Sequence, residues 1–161
     1  MRSVLRTFLT KTYFKTVIFT VSVSPFCYLV WGAFADALGA NPAEYLIRST
    51  GELALRFLCF TLAITPLRVI ARLPELLRIR RMLGLFVYFY AVVHLLCYSW
   101  LDMGLEWMDI AIDIAKRPFI LVGFTAFVLL TPLAATSFNR AIRMLGAKYW
   151  QRLHRALYGV A

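Results

Sequence analysis

Four apolar runs, each about as long as a helix must be to cross a bilayer, dominate this 161-residue sequence. They fall at about residues 16–35, 51–70, 82–101 and 119–138. Crossing the hydrocarbon takes about 20 apolar residues in helical conformation, because only a helix satisfies every backbone polar group within its own segment. The runs predict an all-α integral membrane fold, a helical bundle of four transmembrane helices plus the start of a fifth from about residue 149. Hydrophobic residues make up 61% of the chain, above the roughly 45–50% of soluble domains. Short connections predict a single transmembrane domain over residues 1–161.

The charge distribution predicts how the chain is threaded. Its net charge of +10 would suit nucleic acid only as a basic surface on a soluble domain, and here the charge lies between the spans, so no nucleic-acid partner is expected. Arg2, Arg6, Lys11 and Lys15 precede the first span, and Arg48 alone occupies the next connection. Arg68 at the end of the second span, with Arg72, Arg78, Arg80 and Arg81 after it, makes a second basic cluster; Lys116 and Arg117 follow the third span, and Arg140, Arg143, Lys148, Arg152 and Arg155 the fourth. This alternation is the positive-inside pattern, which puts the N-terminus in the cytoplasm and the two lysine- and arginine-poor connections outside. Asp36 and Glu44 fall in the first outer connection, and Asp102, Glu106, Asp109 and Asp113 in the second. The basic start and Ala33-Phe34-Ala35 also fit a secretory signal, but three further spans favour an uncleaved anchor.

Cys27, Cys59 and Cys97 all lie within spans, where a thiol behaves as a small hydrophobe, and neither a disulfide nor a structural zinc site is expected. Pro25, Pro66 and Pro132 fall inside spans and predict kinks there. Two of them share a context, Thr65-Pro66-Leu67 and Thr131-Pro132-Leu133, too short to count as a repeat. The segment from Ala141 begins basic and amphipathic, with Tyr149 and Trp150 suited to an interface, and turns apolar by Leu157. The sequence has no glycine-rich nucleotide loop, no HExxH and no Gly-x-Ser-x-Gly, so nucleotide hydrolysis, zinc proteolysis and serine hydrolysis lack support.

Ionisable side chains in the hydrocarbon are costly and point to function. The two histidines are therefore the first candidates. His94 lies about 12 residues into the third run, roughly 18 Å along the helix, in the outer half of the bilayer. On its face are Val87, Tyr90, Ala91, Cys97 and Tyr98, small or flat side chains that would leave room for a planar ring. A neutral imidazole with a fixed tautomer is a good iron ligand; a histidine hydrogen-bonded to a neighbouring helix is the alternative. His154 sits near the inner interface between Arg152 and Arg155. Those arginines would pair with haem propionates or a phosphate-bearing cofactor, or else simply snorkel. The two histidines fall at different depths, so one haem bridged by both is not expected. Glu52 and Arg56, four apart, form either an intrahelical pair or, through Arg56, a contact to an outer haem propionate.

Several motifs together resemble a known family. They are Asn41-Pro42, Gly51 through Arg68 (GELALRFLCFTLAITPLR), and Arg80-Arg81-Met82-Leu83-Gly84-Leu85 leading to His94. Lys116-Arg117-Pro118-Phe119-Ile120, Leu130 through Ser137 (LTPLAATS) and Trp150-Gln151-Arg152-Leu153-His154-Arg155 complete the match. On these the chain resembles the ferric-reductase-like transmembrane group, and within it the MsrQ (YedZ) family of haem-binding membrane subunits of bacterial periplasmic methionine sulfoxide reductase systems.

The resemblance implies a bacterial inner-membrane electron-transfer subunit holding haem b, with His94 and His154 at family ligand positions. It implies electrons arriving from the quinone pool or a cytoplasmic flavin reductase and leaving to a periplasmic molybdopterin-containing reductase, where the substrate chemistry is expected. It also associates FMN with the family, without residues to assign to it here. Family members continue through the fifth span with a further histidine about three to four turns past the position of His154. This sequence ends sooner and is expected to be a shortened or divergent version, with the second outer ligand elsewhere. A non-redox membrane anchor for a soluble partner and a small transporter are the readings that remain if no haem is bound.

Overall fold

The computed structural model describes residues 12–137. Contacts divide the chain into two units, Met1–Asp102 and Met103–Ala161. Helices α1 (Thr12–Phe34), α2 (Pro42–Ala71) and α3 (Leu77–Cys97) fall in the first, α4 (Trp107–Lys116) and α5 (Pro118–Ala135) in the second. A short 3₁₀ turn at Pro74–Leu76 precedes α3, and a π-helical turn at Tyr98–Asp102 follows it. Among the described residues, four helical stretches are long and apolar enough to cross a membrane, as the hydropathy predicts. The fifth span expected from about residue 149 lies outside the described residues.

The largest difference from the hydropathy reading is at α2, which starts nine residues before the apolar run and takes in Glu44 and Arg48. Local chemistry explains it. Asn41 caps the helix, its side-chain oxygen accepting from the Glu44 N–H at 3.2 Å, while its side-chain amide donates to the Glu44 carboxylate at 3.2 Å. Pro42 occupies the first helical turn, where its missing N–H costs nothing. At the other end α2 closes on Arg72 in the left-handed region (φ 55°), and the Leu73 N–H returns to the Arg68 carbonyl at 3.1 Å.

Helix α3 likewise starts at Leu77, ahead of the run expected from residue 82. Arginine is a good helix former whose head reaches water from a buried stem, so the basic stretch before the run continues the helix. The second outer connection, read as a loop, contains α4. Ile110 and Ile114 lie four apart on it, Ile110 is buried, and Arg117 pairs with Asp113 at 2.8 Å where the chain turns into α5.

In the first unit α2 and α3 form an antiparallel pair. Ile47 meets His94, Phe57 meets Tyr90 and Phe86, and Gly84 approaches Thr61, so the numbers fall along one helix as they rise along the other. Phe57 stacks on Tyr90 at 5.3 Å and 10°, and on Phe86 at 5.7 Å and 26°. Helix α1 adds Phe26 edge-on to Phe89 at 5.1 Å. With lipid tails as apolar as leucine, close packing of this kind holds membrane helices together. Many other apolar side chains point outward: Phe34 is 90% exposed, Ile70 80% and Phe119 72%. That is untenable in water and suits a hydrocarbon solvent.

A candidate haem-ligating histidine

His94 is in the last turn of α3, 17 residues after Leu77, hence about 25 Å along the helix by its rise. That is farther from the start than the apolar run implied, because the helix begins earlier. Its ring faces the second turn of α2. Nδ1 lies 2.9 Å from the Ile47 carbonyl oxygen. A carbonyl can only accept, so Nδ1 carries a proton, and in the tautomer this fixes the lone pair is on Nε2. Among the described residues Nε2 has no hydrogen-bond partner.

The two sequence readings of His94 thus coexist. It is hydrogen-bonded to a neighbouring helix, and that bond leaves the other nitrogen available as a ligand, the usual arrangement of a metal-binding imidazole. Among the described residues no group of three or more His, Cys, Asp or Glu side chains converges, so a metal held by protein donors alone has no ligand set there. A haem brings its own equatorial nitrogens and asks the protein only for axial ones. The single oriented imidazole fits that demand.

Of the residues expected to leave room on the His94 face, Val87 and Tyr90 are packed over, whereas Ala91, Cys97 and Tyr98 are half-exposed. Tyr90 has no exposed surface and Val87 is 3% exposed, because Phe57 fills the face by stacking on Tyr90. The Tyr90 hydroxyl donates to the Ser22 carbonyl of α1 at 2.7 Å, which ties the three helices together one turn from His94. Sequence reasoning missed this role for Tyr90. Its spacing of four residues from His94 marked the shared face, but no pattern reveals which helix supplies the carbonyl.

Arg56 pairs with Glu52, Nη2 to Oε2 at 2.8 Å, and Arg48 lies 4.0 Å from the same carboxylate. This intrahelical pair is one of the two arrangements expected from the spacing, and both Glu52 and Arg56 are at least half exposed. His154, Arg152 and Arg155 lie outside the described residues. In the second unit a cleft is lined by Met103, Asp109, Ile112, Asp113, Lys116 and Arg117; it holds no histidine or cysteine. The three cysteines are unpaired, with Cys27 and Cys59 exposed and Cys97 half-buried.

Comparison with known proteins follows the same line. The family described as "Ferric reductase like transmembrane component" matches residues 50–161. The "Protein-methionine-sulfoxide reductase heme-binding subunit MsrQ" of Polaromonas naphthalenivorans (strain CJ2) is 65% identical over 147 residues, covering 91% of this chain and 67% of that protein. The proteins of the same name from Herminiimonas arsenicoxydans and Caulobacter vibrioides (strain ATCC 19089 / CIP 103742 / CB 15) are 49% and 46% identical. They cover 93% and 84% of this chain, and 69% and 64% of their own length. The chain spans about two thirds of the length of these curated relatives. No solved structure matches it.

Proposed function

From the premise that this chain belongs to the ferric-reductase-like transmembrane family, among the MsrQ haem-binding subunits, we propose that it carries electrons through the bacterial inner membrane on haem b. The observation that carries the reading is the Nδ1–H of His94 on the Ile47 carbonyl, with the Nε2 lone pair unpartnered among the described residues. In this reading the N-terminus is cytoplasmic, in accord with the alternation of basic connections, and His94 stands near the outer face.

Bound haem supplies a one-electron ferric/ferrous couple. The residues do the rest. His94 would hold the iron through Nε2, and the Ile47 carbonyl, by accepting from Nδ1–H, would make the ring a stronger electron donor. The Val87, Tyr90 and Phe57 packing keeps water from one side of the ligand, and a dry apolar shell is one of the levers on a redox potential. Arg56 would be the residue to meet a propionate at the outer level, in place of Glu52. His154 would be the inner-level ligand, and Arg152 and Arg155 would pair propionates or the phosphate of a flavin.

Electrons enter from the quinone pool or a cytoplasmic flavin reductase, with FMN as a further carrier. They leave to a periplasmic molybdopterin-containing methionine sulfoxide reductase, where the substrate chemistry occurs.

The test is a pyridine haemochrome assay on detergent-purified protein from haem-replete cells, followed by proteoliposomes given quinol, or flavin reductase and NADH, on the cytoplasmic side. Haem b in at least stoichiometric amount, reduced by one of these donors and reoxidised by the molybdopterin partner, is expected. Correctly inserted protein with no haem, or haem that neither donor reduces, contradicts the reading.

A further inference from the structure

Glycine at position 51 is what lets the imidazole of His94 lie against α2. A Cβ built on Gly51 would stand 3.1 Å from both Cε1 and Nδ1 of the His94 ring and 3.7 Å from Nε2. Contacts of 3.1 Å are tighter than most Cβ atoms make, so the ring would have to give by a few tenths of an ångström, and two anchors oppose that shift. Its Nδ1 is held on the Ile47 carbonyl at 2.9 Å, one helical turn before Gly51, and its stem follows the turn anchored by the fully buried Tyr90. By contrast, a Cβ on Gly84, the other glycine in the α2–α3 contact, would meet Thr61 at an ordinary 3.8 Å.

Thr50 completes the arrangement. It is 1% exposed, and its hydroxyl is placed 2.7 Å from the Leu46 carbonyl and 3.0 Å from that of Ile47. The hydroxyl has one proton, so the Leu46 carbonyl takes the shorter branch and the Ile47 oxygen the longer one, beside the imidazole. Back-bonding by a threonine also opens the helix locally, which helps a carbonyl turn from its own ladder toward a neighbouring helix.

We propose that Gly51 is the positioning residue for His94. Its bare Cα admits the ring to the Ile47 carbonyl, and the Thr50 hydroxyl tempers how strongly that carbonyl polarises Nδ1–H. The inference rests on His94 being a haem ligand and deepens that reading. A methyl at position 51 presses the ring away from α2, which lengthens the bond to the Ile47 carbonyl and turns Nε2 from its direction. Loss of such a second partner costs about 10–100-fold in metal affinity.

The experiment compares wild type, Gly51→Ala, Gly84→Ala and Thr50→Val as purified full-length chains. Haem retention on dilution is read beside the low-spin electron paramagnetic resonance signal and the midpoint potential. Gly51→Ala is expected to release haem at about 10–100-fold lower dilution than wild type with an altered low-spin signal, and Gly84→Ala to match wild type. Thr50→Val nearly conserves shape, so it keeps the test open should Gly51→Ala fail to insert. With the carbonyl left to the imidazole alone, its midpoint potential is expected below that of wild type.

An inserted Gly51→Ala with wild-type retention and signal overturns the proposal, even if it melts at lower temperature, since that is all a packing role would move. An unshifted potential in Thr50→Val overturns the part assigned to the hydroxyl. Haem-free wild type overturns the parent reading and this one together, whereas haem-loaded wild type beside an unchanged Gly51→Ala overturns this one alone.

Discussion

Helix α2 treats hydrogen bonding in opposite ways at two places along its length. At its second turn the Ile47 carbonyl has a surplus of donors: the Thr50 hydroxyl, the His94 Nδ1–H and, in helical register, the Gly51 N–H. Four turns later there is a deficit. Pro66 has no N–H to give the Leu62 carbonyl, and the buried hydroxyl of Thr65 has no partner among the described residues. Helix α1 shows how the deficit is normally repaired, since Ser24 donates to the Val21 carbonyl at 3.0 Å, the acceptor that Pro25 leaves without its N–H. Thr131, next to Pro132 in α5, donates to the Phe127 carbonyl at 2.9 Å. The surplus and the deficit are therefore distinct features of α2, and the surplus lies where a side chain has to be held in one orientation.

Tyr90→Ala gives the largest expected effect on this contrast. It empties the space that Phe57 packs against and removes the tie to Ser22. A loss of about 3 kcal/mol is expected, measured by reversible unfolding in mixed micelles, together with weaker haem binding. Stability unchanged within about 0.5 kcal/mol would show that the stack does not support the His94 turn.

Two threonine substitutions in the same helix test the contrast by sign. Thr65→Val removes a buried hydroxyl that has no partner, and a gain of about 1 kcal/mol is expected. Thr50→Val removes one that has two, and a loss of about 0.6 kcal/mol is expected, the average for membrane hydrogen bonds. Equal shifts in the same unfolding assay would erase the distinction drawn between the two places.

The smallest effect belongs to Glu52→Gln. Its ion pairs with Arg56 and Arg48 are half exposed and within one helix, and a change of no more than about 0.5 kcal/mol is expected. If Arg56 also serves a propionate, the midpoint potential moves in Arg56→Gln and not in Arg48→Gln.

Much of the fold was legible because hydrocarbon imposes a single rule on backbone polar groups, and residues such as Phe119 through Leu130 leave no other reading. What hydropathy could not place were the parts that the rule does not govern. Asn41-Pro42 with Glu44 is a sequence signal for a helix start, but Glu44 and Arg48 lower the local hydropathy and hid the first turns of α2. Helix α4 is too short to span, and its acidic residues read as loop.

At the candidate site, His94 stood out because an ionisable residue in an apolar run is rare. Its partner did not, because a backbone carbonyl such as that of Ile47 leaves no trace in residue identity. Gly51 left only a faint one, as one glycine among eight. The placement of Val87 and Tyr90 was read correctly as one face with His94, but their packing against Phe57 depends on a neighbour that periodicity cannot name.

The most direct test of the central claim is the reduced-minus-oxidised absorbance spectrum of His94→Ala beside wild type, with membrane insertion verified for both. The account predicts a wild-type Soret band that shifts on dithionite reduction and the disappearance in His94→Ala of the haem contribution held by that imidazole. A spectrum of equal amplitude and shape in the two proteins would contradict it.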